Sequence, residues 1–191
     1  MKKILAFRID RLGDYVICSN LLLELKKKFG HLTVVCSKTN YKLIKNQDFI
    51  DEIIIFDKNF SFLSKLIIFK NLFLQRYYLI ISWDGKNFSN LCTFFLRSKY
   101  KLGIFYVKIK QIFGFNFKIQ RPNKIFSCFF FNKSLRFTSR SNLKITEHLP
   151  SIYYNLVKDF LPNLNNNNKY FLNITQKNND EFINLKNNYN L

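Results

Sequence analysis

Short apolar segments alternate with stretches of helical spacing along the first half of the chain. Residues 3–9 form an apolar run that is typical of a buried strand. From Asp14 the apolar side chains recur every three or four residues, and three lysines followed by Gly30 are typical of the end of a helix. Because parallel strands need a helical crossover between them, this alternation predicts a parallel sheet with helices packed on it.

The same alternation continues along the chain. Further strands are predicted at 31–36, 52–56, 77–83 and 100–104, and helices at 38–46, 60–74, 88–96 and 146–160. This order of elements predicts an α/β fold, a Rossmann-like parallel sheet with helices on both faces.

The pattern is interrupted after the fifth predicted strand. Phe-rich and Lys-rich pieces alternate over 105–142 without helical spacing, which is typical of an irregular insertion or of a hairpin. An Asn-rich tract at 163–168 is typical of a linker, 170–174 of one more strand, and 177–191 at best of a frayed helix. We therefore predict a domain over 1–160 with a basic insertion at 105–145. Residues 161–191 are predicted to be a linker and the start of a second domain.

Basic residues outnumber acidic ones by 31 to 12, which gives a formal net charge of +19. Between Asp84 and Glu147 lie 13 basic residues and no acidic one. Such a charge is typical of proteins that bind nucleic acid, an anionic membrane surface or a phosphorylated substrate. A/T-rich coding would enrich Lys, Asn, Phe and Ile without any partner. If the charge is functional, we expect 85–146 to form a positive face beside the carboxyl edge of the sheet.

Several classes of protein are disfavoured. The four cysteines form no CxxC pair, so no zinc site is predicted. The apolar stretches fall short of the roughly 18 residues that cross a bilayer, and the first residues lack the apolar core of a signal peptide. We expect a cytoplasmic chain with reduced thiols. The predicted helix at 60–74 has a dense Phe and Leu face with lysines, which fits a membrane-surface helix or one packed on the sheet; we favour packing.

The turn after the first strand, RIDRLGDYV, carries the sharpest functional signal. Gly13 is its only glycine, so the GxGxxG dinucleotide pattern is absent. We expect Gly13 to turn with a positive φ and to place Asp14 at the helix start. Asp14 is then either a helix N-cap or a functional carboxylate. Arg11 is either a phosphate or acceptor contact or an ordinary loop arginine, and Asp10 is interpreted as a turn residue.

The fourth predicted strand ends at the same edge of the sheet. The sequence Asp-Gly-Lys at 84–86 follows it, and we expect Asp84 and Lys86 to line a cleft there. Trp83 is assigned to the core, and His148 to a structural role at a helix start.

Several of these segments together resemble the N-terminal half of glycosyltransferase family 9, the lipopolysaccharide heptosyltransferases that use an ADP-heptose donor. That family opens with a strand, an R-x-D-x-[LI]-G-D pattern and a helix ending in an LK-rich turn, to which residues 8–14 and the following helix are similar. A segment NP-x-[IV]-D-[EK]-[IV] and an R-[IV]-G strand look like 46–53 and 101–104. The resemblance covers 1–105 well and 146–160 more weakly.

The chain also departs from the family pattern. A proline common after the Gly-Asp turn is absent near 18–20, Gln47-Asp48 stand in place of Asn-Pro, and Lys101-Leu102 stand in place of the arginine. Family members have two Rossmann-like domains with the active site between them. This chain ends where the second, nucleotide-sugar-binding domain would begin. We therefore expect it to be incomplete for catalysis alone.

The resemblance implies the acceptor-side domain of a GT-B glycosyltransferase. It implies that Asp14 is the general base, which takes a proton from an acceptor hydroxyl as that oxygen attacks the anomeric carbon of the donor with inversion. We expect Arg11, Gly13, Asp84 and Lys86 to bind substrate. The donor would be a nucleotide sugar such as ADP-heptose, and no cofactor or metal is expected.

The implied function is transfer of a sugar to the lipopolysaccharide core or a similar phosphorylated glycolipid, in a bacterium, at the inner face of the cytoplasmic membrane. The alternative is a non-catalytic remnant that binds anionic glycolipid or membrane through its basic segment. A nucleic-acid partner is not expected, because no RRM, KH or helix-turn-helix pattern is present.

Overall fold

One seven-stranded sheet forms the centre of the chain. The structure, a computed structural model, describes residues 1–8, 12–112, 115–120, 130–138 and 149–162. The strands are β1 (Lys2–Arg8), β2 (Gly30–Cys36), β3 (Glu52–Ile55), β4 (Arg76–Ser82), β5 (Arg97–Ile112), β6 (Phe115–Gln120) and β7 (Lys133–Thr138). The order is β3-β2-β1-β4-β5 with β7 beside β5, and these six strands are parallel. Strand β6 pairs antiparallel with the end of β5.

Helices cover both faces of this sheet. They are α1 (Leu12–Phe29), α2 (Lys38–Ile44), α3 (Phe62–Phe73), α4 (Asn87–Phe95) and α5 (Leu149–Val157). Because side chains alternate along a strand, Ile4 and Ala6 of β1 pack into one core cluster with α1, α2 and α5. Leu5 and Phe7 pack into a second cluster with α3 and α4. The Rossmann-like α/β fold predicted from the sequence is therefore confirmed.

The direction in which strands are added reverses beside β1. This strand pairs with β2 on one side and with β4 on the other, so that Phe7 lies level with Val35 and Ser82. The helices that follow these two strands, α1 after β1 and α4 after β4, pack on opposite faces of the sheet. In open α/β sheets a crevice forms at such a point, and ligands bind there.

The first helix begins earlier than predicted. Helix α1 starts at Leu12, so Asp14 lies inside the first helical turn and not at the N-cap position. The positive φ predicted for Gly13 is wrong, because the glycines with positive φ in the described residues are Gly30 at 98° and Gly85 at 61°.

The fifth strand is much longer than predicted. Instead of ending at residue 104, β5 continues to Ile112 and pairs back with β6. Strands β5 and β6 pair antiparallel, as in the hairpin interpretation of this segment, whereas residues 133–138 form β7, which is parallel to β5. Strand β7 is absent from the sequence prediction.

Most other predicted elements are present with ends shifted by a few residues. The helix predicted at 146–160 is α5, and Trp83 is fully buried as expected. The linker, strand and frayed helix predicted beyond residue 162 lie outside the described residues. The division of the chain near residue 160 stays a prediction.

Helix α3 packs less deeply than predicted. Leu72 is its one fully buried residue, whereas Phe62 and Leu63 are 74% and 71% exposed. The favoured interpretation, that this apolar face packs on the sheet, is wrong for most of its side chains. In the part of the chain that the structure describes, no helix is long and apolar enough to cross a membrane.

Candidate active site

Arg8 is the last residue of β1, and its side chain has no solvent exposure. Its Nη2 atom donates a hydrogen bond of 2.8 Å to the hydroxyl of Tyr153 in α5. The same atom lies 3.5 Å from Oδ2 of Asp14 in α1. A buried guanidinium is tolerated only where opposite charge and acceptors surround it. Arg8 therefore ties β1, α1 and α5 together at the carboxyl edge.

Asp14 is the partly exposed member of this group. Its side chain keeps 22% of its surface in solvent, whereas that of Arg8 keeps none. In the first turn of a helix, free backbone N–H groups and the helix dipole favour a negative charge. The Arg8 guanidinium adds to this effect. The result is a fixed carboxylate that a ligand can reach, which is what a general base requires.

Two more side chains hold this arrangement. The Nδ2 atom of Asn40, fully buried in α2, donates a 3.0 Å hydrogen bond to the backbone oxygen of Arg8. The rings of Trp83 and Tyr153 lie 6.5 Å apart between centroids, and Trp83 directly follows β4. The end of β1 is therefore held from α2, α5 and the end of β4.

Asp84 is fully buried and organises the start of α4. Its Oδ1 atom accepts a 3.0 Å hydrogen bond from the Lys86 amide, and its Oδ2 atom accepts one of 2.6 Å from the Ser89 hydroxyl. Between Asp84 and Lys86, Gly85 has a φ of 61°, a conformation that side-chain-bearing residues rarely adopt. In this structure Asp84 therefore shapes the turn, and the exposed Lys86 is the member of the Asp-Gly-Lys sequence that faces solvent.

Cys36 ends β2 at the same edge of the sheet and is fully buried. Burial raises the pKa of its thiol to about 12. Because the thiolate is the reactive form of cysteine, Cys36 is not a nucleophile at neutral pH. The accessible reactive group among these described residues at the edge is the Asp14 carboxylate.

The structure describes four of the five predicted site residues. Asp14 lies beside Arg8, and Asp84 and Lys86 follow the neighbouring strand β4. Gly13 is exposed, and a Cβ placed on it would meet no atom within 4 Å in the part of the chain that is described. Arg11 lies outside the described residues, as do Asp10 and His148.

Sequence reasoning missed three members of the group. Arg8 carries a detectable signal, since it is a charged residue at the end of an apolar strand. Asn40 and Tyr153 carry none, because they come from α2 and α5 and meet Arg8 only through the fold.

Residues 46–53 are the second segment that resembles the family pattern, and they lead into β3 at the amino edge of the sheet. Asp51 accepts hydrogen bonds at Oδ2 from Lys26 at 2.6 Å and from the Leu32 amide at 2.7 Å. Burial alone would raise the pKa of Asp51, but these bonds and the charges of Lys26 and His31 outweigh it and lower the pKa. This aspartate therefore connects the end of α1 to β2, remote from the candidate site.

The basic segment is only partly placed at the carboxyl edge. Arg97 and Lys99 lie in the first residues of β5, near its amino end, and Lys133 pairs with Asp159 at 2.6 Å. The Nζ atom of Lys101 donates to the backbone oxygen of Phe94, and burial lowers the pKa of this lysine. The predicted single positive face is therefore wrong for these residues. The β5–β6 hairpin, which carries three of the segment's lysines, begins beyond the level at which β4 ends.

No group of three or more His, Cys, Asp or Glu side chains that could hold a metal ion occurs among the described residues. Among the described residues, the carboxyl edge carries the Asp14 carboxylate, the Arg8 guanidinium and the exposed Lys86 ammonium group. Such groups suit proton transfer and the binding of anions.

Solved structures share this fold. The whole chain matches half of the glycosyl transferase family 9 structure from Veillonella parvula DSM 2008, with a TM-score of 0.63 and 16% identity. It also matches E. coli heptosyltransferase WaaC, solved with ADP and with ADP-2-deoxy-2-fluoro heptose, over 91% of this chain and 50% of that one, with a TM-score of 0.57. Identity to WaaC is 14% in the first structure and 13% in the second. No protein-family profile and no curated protein matches the sequence.

The chain spans about half the length of these solved structures. At such low identity the likeness concerns the fold. The resemblance to glycosyltransferase family 9 drawn from the sequence is confirmed at that level, over half of each of these solved chains.

Proposed function

We propose that the chain is the acceptor-side part of an inverting, heptosyltransferase-like glycosyltransferase. One observation carries this proposal: a partly exposed Asp14 is fixed by the buried Arg8 at the point where the strand order reverses. The chain shares its fold with one half of each of two solved glycosyltransferases, and this likeness supports the same assignment.

Asp14 is the general base of the proposed reaction. It accepts the proton of an acceptor hydroxyl while that oxygen forms a bond to the anomeric carbon of the donor. The bond from that carbon to the nucleotide diphosphate breaks, and the configuration inverts. Arg8 positions the carboxylate, and Tyr153 positions Arg8. Placement of the base within about 2.6 to 3.2 Å of the hydroxyl is what this role demands.

The proposed substrates are both anionic. The donor is a nucleotide sugar such as ADP-heptose, held mainly by a second half of the fold, and the acceptor is a lipopolysaccharide core or similar phosphorylated glycolipid. Lys86 and Arg11 are the proposed phosphate contacts, with Gly13 leaving space beside the helix start. No metal or cofactor takes part in this proposal. The work would take place on the cytoplasmic side of the membrane, with peripheral contact to anionic lipid.

A non-catalytic remnant is the second candidate. The observation that favours it is the basic central segment, which has 13 basic residues and no acidic one between Asp84 and Glu147. Such a protein would bind the anionic glycolipid without transferring sugar to it.

Binding of the acceptor can be measured without turnover. We expect a phosphorylated deep-core lipopolysaccharide fragment, titrated into the ¹⁵N-labelled chain, to shift the amide signals of Gly13, Asp14 and Lys86. Lys86→Gln should weaken binding roughly tenfold, the effect of losing one charge-assisted contact. Lys27→Gln, at an exposed lysine near the other end of α1, is the matched control. Equal weakening by both variants, or shifts confined to other surfaces, would refute the acceptor assignment.

A further inference from the structure

An apolar surface lies on the outside of α3 and α4. It comprises side chains that point away from the sheet although they are large and apolar. They are Phe62, Leu63, Leu66, Ile67, Phe73 and Leu74 of α3 and its C-cap, and Leu91 and Phe95 of α4, between 37% and 74% exposed. We call this set the α3 surface. Exposed apolar patches of such extent mark sites of interaction.

The α3 surface is continuous across the two helices. Phe69 of α3 packs edge-on against Phe95 of α4, with ring centroids 6.2 Å apart, and against Phe73 at 5.8 Å. A shallow groove of about 380 Å³ lies along α3, lined by Leu63, Leu66, Ile67, Phe69, Lys70 and Phe73. The groove is open to solvent along the helix.

Local sequence explains why α3 is a helix without deep burial. Ser61 is its N-cap, and the Ser61 hydroxyl accepts a hydrogen bond from the Ser64 amide at 3.2 Å. Leu72 anchors the helix in the core cluster that α3 and α4 share with the sheet. One anchored face and a second apolar face leave this helix with more apolar surface than the sheet covers.

The part of the sequence that contains α3 and α4 is strongly basic. From residue 58 to residue 146 the chain contains 17 basic residues and a single acidic one, Asp84, and Asp84 is fully buried. Lys70 lines the groove itself, and the Arg97 guanidinium lies 5.3 Å from the centre of the Phe73 ring. Exposed apolar side chains among lysines and arginines are the pattern of a helix that lies on an anionic membrane surface.

Charge also decides between the occupants of such a surface. A second copy of the chain packed on the same face would bring the Lys70 and Arg97 side chains of two molecules together, so that like charges would face each other. An anionic lipid surface instead complements these charges, and the apolar side chains can enter the boundary between headgroups and acyl chains.

We propose that the α3 surface docks the protein on an anionic lipid bilayer, with α3 lying in the plane of the interface. A 12-residue helix is about 18 Å long, which suits a helix lying on the membrane and not one crossing it. The proposal rests on the proposed function, which includes peripheral contact with anionic lipid, and it names the surface that makes this contact. Its observations are separate from the Asp14 site, which is built by α1 and α5 on the other face of the sheet.

Vesicle co-sedimentation of the full 191-residue chain tests the proposal. We expect binding to vesicles of phosphatidylcholine with phosphatidylglycerol, and at least about tenfold weaker binding to phosphatidylcholine alone. The double variant Leu63→Ser/Ile67→Ser should lower binding at least about tenfold through the loss of apolar insertion. Lys70→Glu should lower it severalfold at low salt and less at high salt. Tyr41→Ser, at a residue 36% exposed on α2, is the matched control and should bind normally.

Each other outcome overturns the proposal in a distinguishable way. Unchanged binding by the double variant, with circular dichroism like that of the original chain, removes the α3 surface from membrane contact. If Lys108, Lys110 and Lys118 changed together to Gln then abolish binding, the hairpin is the contact and the proposed function survives. If the chain is a dimer that the double variant dissociates, while vesicle binding is unchanged, the surface binds a second copy. Asp14→Asn should leave vesicle binding unaltered.

Discussion

Arg8 carries a full charge at a position without solvent, so the groups that contact it determine both stability and site geometry. The Tyr153 hydroxyl and the Asp14 carboxylate lie on different helices, and each is close to the same Nη2 atom. A change at either residue therefore alters how well the guanidinium is compensated. The structure predicts that these residues behave as one unit.

Tyr153→Phe removes the hydroxyl that accepts from Arg8 and leaves the ring in place. We expect it to destabilise the fold by about 1–3 kcal/mol, the usual effect of depriving a buried charged donor of an acceptor. Urea unfolding followed by circular dichroism measures this change. Tyr154→Phe, on the same helix, is the control and should change stability by less than about 0.5 kcal/mol. Equal effects of the two variants would show that the Arg8 hydrogen bond is not important for stability.

Asp51 gives the protein a defined response to acid. Its pKa is lowered in the folded state, so its contribution to stability is present above the unfolded value of about 4 and is lost as the pH falls through the lower, folded value. We expect the chain to unfold at a higher urea concentration than Asp51→Asn at pH 7. The two midpoints should converge as the pH falls below about 4. A difference between them that does not depend on pH would contradict the ionised bridge to Lys26.

The sequence could identify some site residues and not others, for a physical reason. Asp14 stands in a local pattern with Gly13, so a short window is enough to find it. The contact between Arg8 and Tyr153 joins residues that are 145 positions apart in the sequence. Contacts of that kind are created by the packing of α5 on the sheet and leave no mark on a single sequence.

At the scale of elements, the turn between β4 and α4 depends on Asp84. Asp84→Ala removes acceptors from the Lys86 amide and the Ser89 hydroxyl. We expect the free energy of unfolding to fall by about 2–3 kcal/mol, because both donors lie in or beside a buried network. Lys86→Gln should stay within about 0.5 kcal/mol, since its side chain is exposed. Thermal or urea unfolding of both variants measures the contrast, and a neutral Asp84→Ala would show that the network does not hold the turn.

The sequence predicts an element well where the spacing of its apolar residues corresponds to the side chains that are buried. Strands β1 to β4 are apolar runs because both sheet faces are covered by helices. The end of β5 is missing from the prediction because it pairs with β6, a pairing that a single sequence does not show. At α3 an apolar helix face predicts burial, but Leu72 is its one fully buried residue.

At the scale of the whole molecule, the carboxyl edge and the α3 surface belong to different parts of the fold. Arg8 and Asp14 meet where β1 and α1 join, whereas the α3 surface lies over the second core cluster. The proposed lipid contact of α3 and the Asp14 site therefore involve different residues on opposite faces of the sheet. The parallel sheet with helices on both faces could be predicted from the sequence, but the relation between these two surfaces could not, because it depends on which helices fall on which face.

The central claim is that this chain supplies the acceptor side and the base of a sugar transfer. It is tested most directly by the rate of heptose transfer from ADP-heptose to a deep-core lipopolysaccharide acceptor, with the chain alone and with the half of E. coli heptosyltransferase WaaC that it does not match. We expect no product from the chain alone, because positioning of donor against acceptor supplies much of the rate. We expect product from the combination, and a rate at least about a hundredfold lower with Asp14→Asn, which removes the base while the helix remains. A near-normal rate with Asp14→Asn, or steady turnover by the chain alone, would contradict the account.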